Sequence, residues 1–256
     1  LSLLGVFFAV GALGMPAVLA ALKNYFSYEQ IVSFVAYGSL LISALFILVK
    51  FPPPKQAGQL PLSSGLGLLK DNVVILISLF LFCQTAFEAI INNWTTTYLS
   101  SLSLATDSEA LYALSLYVVG MAVTRLILGG ALRRASQYAI MISSMAVLSV
   151  GCLLLYISNA LALATVGLIA LGVGLAAGFP VMLGILGSRH SALSATAFSI
   201  VISFALTGNV GINYLMGLVA EKFGIQHLTT FGFTLSGFML MVTFILFKTL
   251  RKNYAG

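Results

Sequence analysis

The stretch that decides the fold is residues 72–104, NVVILISLFLFCQTAFEAIINNWTTTYLSSLSL. Between Val73 and Leu99 it holds a single charged residue, Glu88. About 20 apolar residues in a row are enough for a helix to cross a bilayer. Because lipid offers the backbone no hydrogen-bond partners, a segment this long and apolar is expected to form a transmembrane helix with one acid inside it.

The composition of the whole chain points the same way. Of its 256 residues, 60% are hydrophobic and 7% are charged, whereas about 25% are charged in a typical soluble domain. So few charges cannot cover a water-facing surface, which excludes a soluble enzyme and a disordered chain. The net charge of +6 is not gathered on one polar face. The expected partner is therefore the lipid bilayer and not a nucleic acid.

Outward from residues 72–104, the chain divides into a series of long apolar runs. They lie near 1–22, 30–49, 73–99, 110–131, 137–157, 161–187, 193–220 and 228–247. None shows the alternation of a lipid-facing barrel strand. The sequence therefore predicts an all-α integral membrane protein with eight transmembrane helices.

The charges between these runs predict the orientation. Nine cations fall on one side of the membrane: Lys50, Lys55, Lys70, Arg133, Arg134, Arg189, Lys248, Arg251 and Lys252. Only Lys23 and Lys222 fall on the other. The positive-inside rule predicts a multi-pass protein of the cell membrane with both ends of this chain cytoplasmic. Arg125 lies within 110–131 and is expected to reach the cytoplasmic interface or a partner there, which groups it with Arg133 and Arg134 as cytoplasmic-face charge.

One connection is long enough to be a linker. It covers 50–72, opens with FPPPKQ at 51–56, and contains the three consecutive prolines that favour an extended segment. It separates two helices in 1–49 from six helices in 73–256. Many secondary transporters consist of two six-helix halves. Two helices plus six is what remains of such a protein without its first four, so the chain is expected to be a fragment.

The candidate site starts from the polar residues of 73–99. Gln84, Glu88, Asn92 and Thr95 follow at spacings of four, four and three, which places them on one stripe of a helix. A charged carboxylate there costs about 2.5–3.5 kcal/mol, so Glu88 should face protein or a wet cavity. It would then bind a polar solute or carry a proton; the alternative is a neutral acid satisfied within the bundle. Asn93 and Trp94 flank the stripe.

Trp94 has two interpretations, a belt residue near the outer interface or a platform for a sugar ring. Asn209 and Asn213 in 193–220 either line the cavity or form hydrogen bonds between helices. Two prolines, Pro16 in 1–22 and Pro180 in 161–187, predict helix bends. Four glycines in 161–187 allow close helix approach: Gly167, Gly172, Gly174 and Gly178.

No catalytic arrangement appears in the sequence. His190 and His227 are predicted near opposite membrane faces, and no nucleophile, zinc or phosphate-binding motif is present. The expectation is a protein that is not an enzyme and has neither cofactor nor metal. A transporter without an ATP-binding loop must use an ion gradient or run downhill.

Three stretches resemble one family. They are GVFFAVGALGMP at 5–16, FEAIINNWTTTYL at 87–99, and the glycine-rich segment through the following helix at 172–224. The chain resembles helices five to twelve of a major facilitator superfamily transporter, most closely the branch of fucose:proton symporters and glucose/galactose permeases. The resemblance implies alternating access around a central cavity lined by 73–99 and 161–187. It also implies the missing N-terminal helices as partners.

The chain departs from the family pattern in two places. The cytoplasmic Gly-x-x-x-Asp-Arg-x-Gly signature is reduced to Gly120–Ile127, with Thr124 at the acidic position and Ile127 at the second glycine. In fucose symporters the acids tied to proton coupling lie in the first four helices. Glu88 is therefore not given their role by analogy.

These observations favour a secondary active transporter of a small polar solute. The solute is expected to be a sugar and the coupling ion a proton. The alternatives are an efflux carrier for amphipathic compounds and a non-transporting membrane receptor or scaffold. The amide-rich stripe at Gln84 and Asn92 argues against efflux, since pockets for amphipathic compounds are usually more aromatic.

Overall fold

The structure, a computed structural model, describes residues 25–50, 67–131 and 135–255, together with 11, 15, 18, 19, 21 and 22. Within these residues, seven helices are long and apolar enough to cross a membrane. They account for seven of the eight predicted spans. The remaining one, 1–22 with Pro16, lies almost wholly outside the described residues, as do Arg133, Arg134 and most of the predicted linker.

The helices are defined by the following bounds. They are α1 Tyr28–Leu48, α2 Asn72–Ser101, α3 Asp107–Ala131, α4 Gln137–Tyr156, α5 Leu161–Leu175, α6 Gly178–Arg189, α7 Ser194–Phe223 and α8 Leu228–Ala255. Short 3-10 turns at Ser191–Leu193 and Ile225–His227 precede α7 and α8. Together α5 and α6 make one span, interrupted at 176–177.

Side-chain caps explain where several helices begin. Ser27 and Gln30 form a reciprocal capping box at the start of α1. The Asp71 carboxylate accepts a hydrogen bond of 2.8 Å from the backbone N–H of Val73 at the start of α2. The Ser136 hydroxyl accepts one of 3.1 Å from Ala139 at the start of α4. Each cap satisfies a backbone donor that the first helical turn cannot.

The helices α2–α8 share one apolar core, and α2 lies at its centre. It packs against α3, α7 and α8, and Phe80 and Phe87 on it are fully buried. In α1, by contrast, Ile31 is the one residue described as buried. A helix that is apolar all round but exposed all round must be covered by lipid or by further protein.

Glycines let α5 fit between its neighbours. A Cβ on Gly172 would lie 2.1 Å from the Tyr117 carbonyl oxygen of α3, and one on Gly174 would lie 2.7 Å from the Leu148 Cα of α4. A Cβ on Gly167 of the same helix would likewise be too close to backbone atoms of α4. Such backbone-to-backbone contact needs small residues. The glycine pattern of 161–187 thus reflects packing against two helices at once.

Candidate functional site

The polar centre of the bundle begins at the break between α5 and α6. The helix is interrupted at 176–177, three residues before Pro180, whose side chain is exposed. In an unbroken helix the Leu175 carbonyl would accept from the N–H four residues later. Here it accepts a hydrogen bond of 2.9 Å from Gln84 Nε2 on α2. The amide of one helix therefore satisfies a carbonyl at the break in another.

Gln84 also contacts the intramembrane acid. Its Nε2 donates a second hydrogen bond of 2.9 Å to Glu88 Oε1. The same Oε1 lies 3.6 Å from a terminal guanidinium nitrogen of Arg125 on α3. Gln84, Glu88 and Arg125, called here the acid cluster, thus join α2, α3 and the α5–α6 break.

Arg125, predicted to reach the cytoplasmic interface or a partner there, has Glu88 as its partner. The Ser100 hydroxyl donates a hydrogen bond of 3.0 Å to Asp107, so α3 begins beside the end of α2 and runs antiparallel to it. From that turn, Glu88 lies about 20 Å along α2 and Arg125 about 27 Å along α3. Helical side chains tilt toward the N-terminus of their helix. The Arg125 side chain is therefore directed back toward Glu88.

The acid cluster is partly accessible and has unused hydrogen-bonding capacity. The Glu88 side chain is 22% exposed and that of Arg125 is 28% exposed. Among the described residues, three buried polar atoms beside them have no hydrogen-bond partner: Gln84 Oε1, the Tyr117 hydroxyl and Arg125 Nε. Buried polar groups are nearly always paired. Within the cluster, the partly exposed Glu88 and Arg125 are the side chains that a polar guest can reach.

A second polar group, the amide cluster, lies between α2 and α7. Asn213 Oδ1 accepts hydrogen bonds of 3.0 Å from Asn93 Nδ2 and from Trp94 Nε1. Asn213 Nδ2 in turn donates to the backbone oxygen of Asn209 at 2.9 Å and to its side-chain oxygen at 3.3 Å. Asn93 remains exposed and Trp94 is half-buried. The structure therefore brings together four of the predicted site residues.

The polar side chains of α2 face in two directions. Gln84 and Glu88 face α3 and the break, whereas Asn93 and Trp94 face α7. Asn92 donates a hydrogen bond of 2.7 Å to the Glu88 backbone oxygen of its own helix and is exposed. About 8–9 Å of helix axis separates Glu88 from Asn93 and Trp94.

The close approach of α2 and α7 was not foreseen from the sequence. A Cβ on Gly208 would lie 2.3 Å from the Phe82 carbonyl oxygen, so only glycine fits there without displacement. Three residues further along α2, the Thr85 hydroxyl donates to the Ala205 carbonyl of α7. These contacts position the α7 asparagines beside Asn93 and Trp94. The detectable signal was a glycine among polar residues on one face of a long span.

A third polar group was also missed, at the end of the bundle predicted to be cytoplasmic. Asp71 Oδ2 accepts a hydrogen bond of 3.0 Å from Arg189 Nε and lies 3.1 Å from His190 Nε2. Burial acts to raise the pKa of Asp71. The Val73 N–H, the Arg189 hydrogen bond and the positive charges of Arg189 and His190 outweigh it, so the pKa lies below its ordinary 3.8. The start of α2 is thus tied to the end of α6.

No family model and no curated protein matches the sequence. Over 88% of this chain, the fold is similar to that of FucP, a solved major facilitator superfamily transporter, which confirms the resemblance predicted from the sequence. A likeness at such low sequence identity is one of fold.

Two solved structures illustrate this similarity. One is FucP in the outward conformation, with 15% identity and a TM-score of 0.64. The other is a variant of the Escherichia coli fucose:proton symporter FucP, with 16% identity and a TM-score of 0.65. The structural match covers 88% of this chain in both cases. It covers only 59% and 60% of the two FucP chains, so this chain spans about three fifths of their length.

Proposed function

We propose that this chain is the larger part of a secondary active transporter that moves a small polar solute, a sugar, coupled to protons by alternating access. The fold supports a transporter by analogy with FucP. The observation that carries the proposal is the acid cluster. A Glu88–Arg125 pair with a bound amide and unpaired polar atoms lies inside the spans and remains partly accessible.

The chemistry of these groups suits a polyhydroxyl compound. A sugar hydroxyl both donates and accepts, so one hydroxyl can bind the Glu88 carboxylate and the next can accept from the Arg125 guanidinium. The amide cluster lies about 8–9 Å further along α2. Its half-buried Trp94 offers an aromatic face near the exposed Asn93 amide. The two clusters face different neighbours of α2, and each offers donors and acceptors for hydroxyl groups.

The acid cluster also accounts for coupling to protons. With Glu88 charged, the pair with Arg125 is neutral overall; with Glu88 protonated, it carries one positive charge. A net charge inside the bilayer is costly, so protonation changes which arrangement of the helices is favoured. A solute that donates a hydrogen bond to Glu88 and accepts one from Arg125 changes the same balance. Proton and solute therefore act on one pair of side chains.

A counterflow assay in liposomes tests this function. The full-length polypeptide that contains this chain is used, because the chain spans about 60% of the FucP structures. Liposomes preloaded with a candidate monosaccharide should accumulate labelled sugar from outside. Glu88→Gln should reduce proton-driven uptake at least tenfold while counterflow persists, since exchange does not require net proton movement.

A matched control variant lies on α8. Thr234→Val on α8 removes an exposed hydroxyl that only bonds its own helix, and it should leave both assays unchanged. Specific binding without counterflow would instead favour a receptor or scaffold. Extrusion of amphipathic dyes without sugar counterflow would favour the efflux alternative. Unchanged proton-driven uptake in both Glu88→Gln and Asn93→Ala would remove those residues from the site.

A further inference from the structure

We infer that Gln84 is a positioning residue that links the charge state of Glu88 to the break between α5 and α6. The inference rests on the proposed function for the role of Glu88 in coupling. The link itself is a structural property, however, and can be measured without transport.

The amide nitrogen of Gln84 has two protons, and both are used. One is donated to Leu175 O at 2.9 Å and the other to Glu88 Oε1 at 2.9 Å. The Gln84 residue is fully buried, so water does not compete for either bond. One rigid, planar amide group therefore holds the carbonyl at the break and the intramembrane carboxylate in a fixed relation.

The orientation of this amide is determined by its surroundings. A flipped Gln84 would direct Oε1 at two acceptors, the Leu175 carbonyl and the Glu88 carboxylate, and both contacts would become repulsive. In the observed orientation Oε1 lies against Gly178, where a Cβ would be only 1.8 Å away. A glycine at the first position of α6 is thus what allows the amide to reach both partners.

The hydrogen bonds of Gln84 to Glu88 and to Leu175 are coupled, because one amide nitrogen donates both. When Glu88 is charged, it holds the Gln84 N–H and so keeps the amide over the break. When Glu88 is protonated or forms a hydrogen bond with a solute, it becomes a weaker acceptor for Gln84 Nε2. The Gln84 amide is then held only by its hydrogen bond to the Leu175 carbonyl and can move with it. Because α6 is a separate helix that starts at the break, its tilt against α2 is then less constrained.

Few other titratable groups face Glu88 among the described residues. Arg125 and the Tyr117 hydroxyl face it from α3. No charged residue lies in α5, and in α6 the charged residue is Arg189 at the far end. The charged residues of α7 and α8 lie near helix ends: Glu221, Lys222, Lys248, Arg251 and Lys252. A pH effect transmitted through Gln84 therefore reports on Glu88 and its partner Arg125.

The first test is the pH profile of uptake by the full-length protein in liposomes. Gln84→Leu removes both hydrogen bonds, and Gly178→Ala displaces the amide without changing Gln84 or Glu88. Loss of a donor disfavours the charged carboxylate, so the pH of half-maximal uptake should rise by at least half a unit in both variants. Gly184→Ala is the matched control on α6, because a Cβ there meets nothing within 4 Å, and it should leave the profile unchanged.

The second test is hydrogen exchange of the peptide covering residues 174–182, corrected for the intrinsic effect of pH. Gln84→Leu and Gly178→Ala should each speed exchange at least threefold, and Gly184→Ala should not. Gln84→Asn keeps the polarity but shortens the side chain by one methylene. If Gln84→Leu or Gly178→Ala does not fold, Gln84→Asn takes its place, and exchange at 174–182 should again be at least threefold faster than in the wild type.

The outcomes separate this inference from the proposed function. If no polypeptide shows counterflow, the proposed function fails, and the exchange data alone decide whether Gln84 holds the break. If uptake is present but Gln84→Leu follows the wild-type pH profile, the inference is wrong while the function stands. A change in the pH profile with no change in exchange at 174–182 also overturns it, since the break would then not be involved.

Discussion

Removing Arg125 should destabilise the bundle more than removing Arg125 and Glu88 together. The two charges are 3.6 Å apart, which corresponds to about 5 kcal/mol of attraction at an effective dielectric constant of about 20. Their side chains are 28% and 22% exposed, so screening reduces this to about 1–3 kcal/mol. Arg125→Gln also leaves an uncompensated carboxylate in a span, at about 2.5–3.5 kcal/mol on the insertion scale. Adding Glu88→Gln removes that cost.

A double-mutant cycle measures this effect. The wild type, both single variants and the double variant are heated in detergent, and the fraction that remains folded is followed by size-exclusion chromatography. A coupling energy of about 1–3 kcal/mol is expected, with the double variant more stable than Arg125→Gln. Arg251→Gln near the end of α8 is the matched control, because that exposed arginine should show no coupling to Glu88. Additive effects of the two single changes would refute the pairing.

Three further predictions concern packing, the amide cluster and the Asp71 contact. Gly172→Ala should lower the stability in detergent by about 1–3 kcal/mol through overpacking against α3, whereas Gly184→Ala should change it little because its Cβ would meet nothing; equal melting points would contradict this. Asn213→Leu removes the acceptor of Trp94 Nε1, so emission from this tryptophan, in a background with no other, should move to longer wavelength with stronger acrylamide quenching; an unchanged spectrum would argue against the contact. Asp71→Asn should cost about 1 kcal/mol or less at neutral pH. Because the folded pKa of Asp71 lies below 3.8, the wild-type advantage should persist down to about pH 4 and decrease as the pH falls through the folded pKa; a difference that does not decrease on acidification below that range would show that charge is not its source.

Sequence reasoning was most effective along the helices. The seven spans among the described residues follow from hydrophobic length, because every backbone group in lipid must be satisfied within its own helix. The same reasoning singled out Glu88, since one acid in a long apolar run stands out without any knowledge of its neighbours. The helix interruption in 161–187 was suggested by Pro180, and the break lies three residues before it.

Sequence reasoning was weakest across helices. Arg125 was expected to reach the cytoplasmic interface or a partner there, and no spacing rule identified Glu88 on α2 as that partner. Asp71 was placed in the predicted linker, although an acid directly before an apolar run is a recognised helix-start signal. Its partner Arg189 lies 118 residues away. No spacing rule connects residues that are so far apart along the chain.

The sequence by itself determined that this is a membrane protein, where its helices run and which side chains are polar inside them. These properties depend on local chemistry, namely the length of apolar runs and the cost of charge in lipid. The tertiary structure alone decided which polar groups meet. It placed Gln84 and Glu88 of the α2 stripe against α3 and the break, and the flanking Asn93 and Trp94 against α7. The reason is physical: backbone contact at Gly172 and Gly208 sets how the helices approach, and that approach determines which partners each side chain can reach.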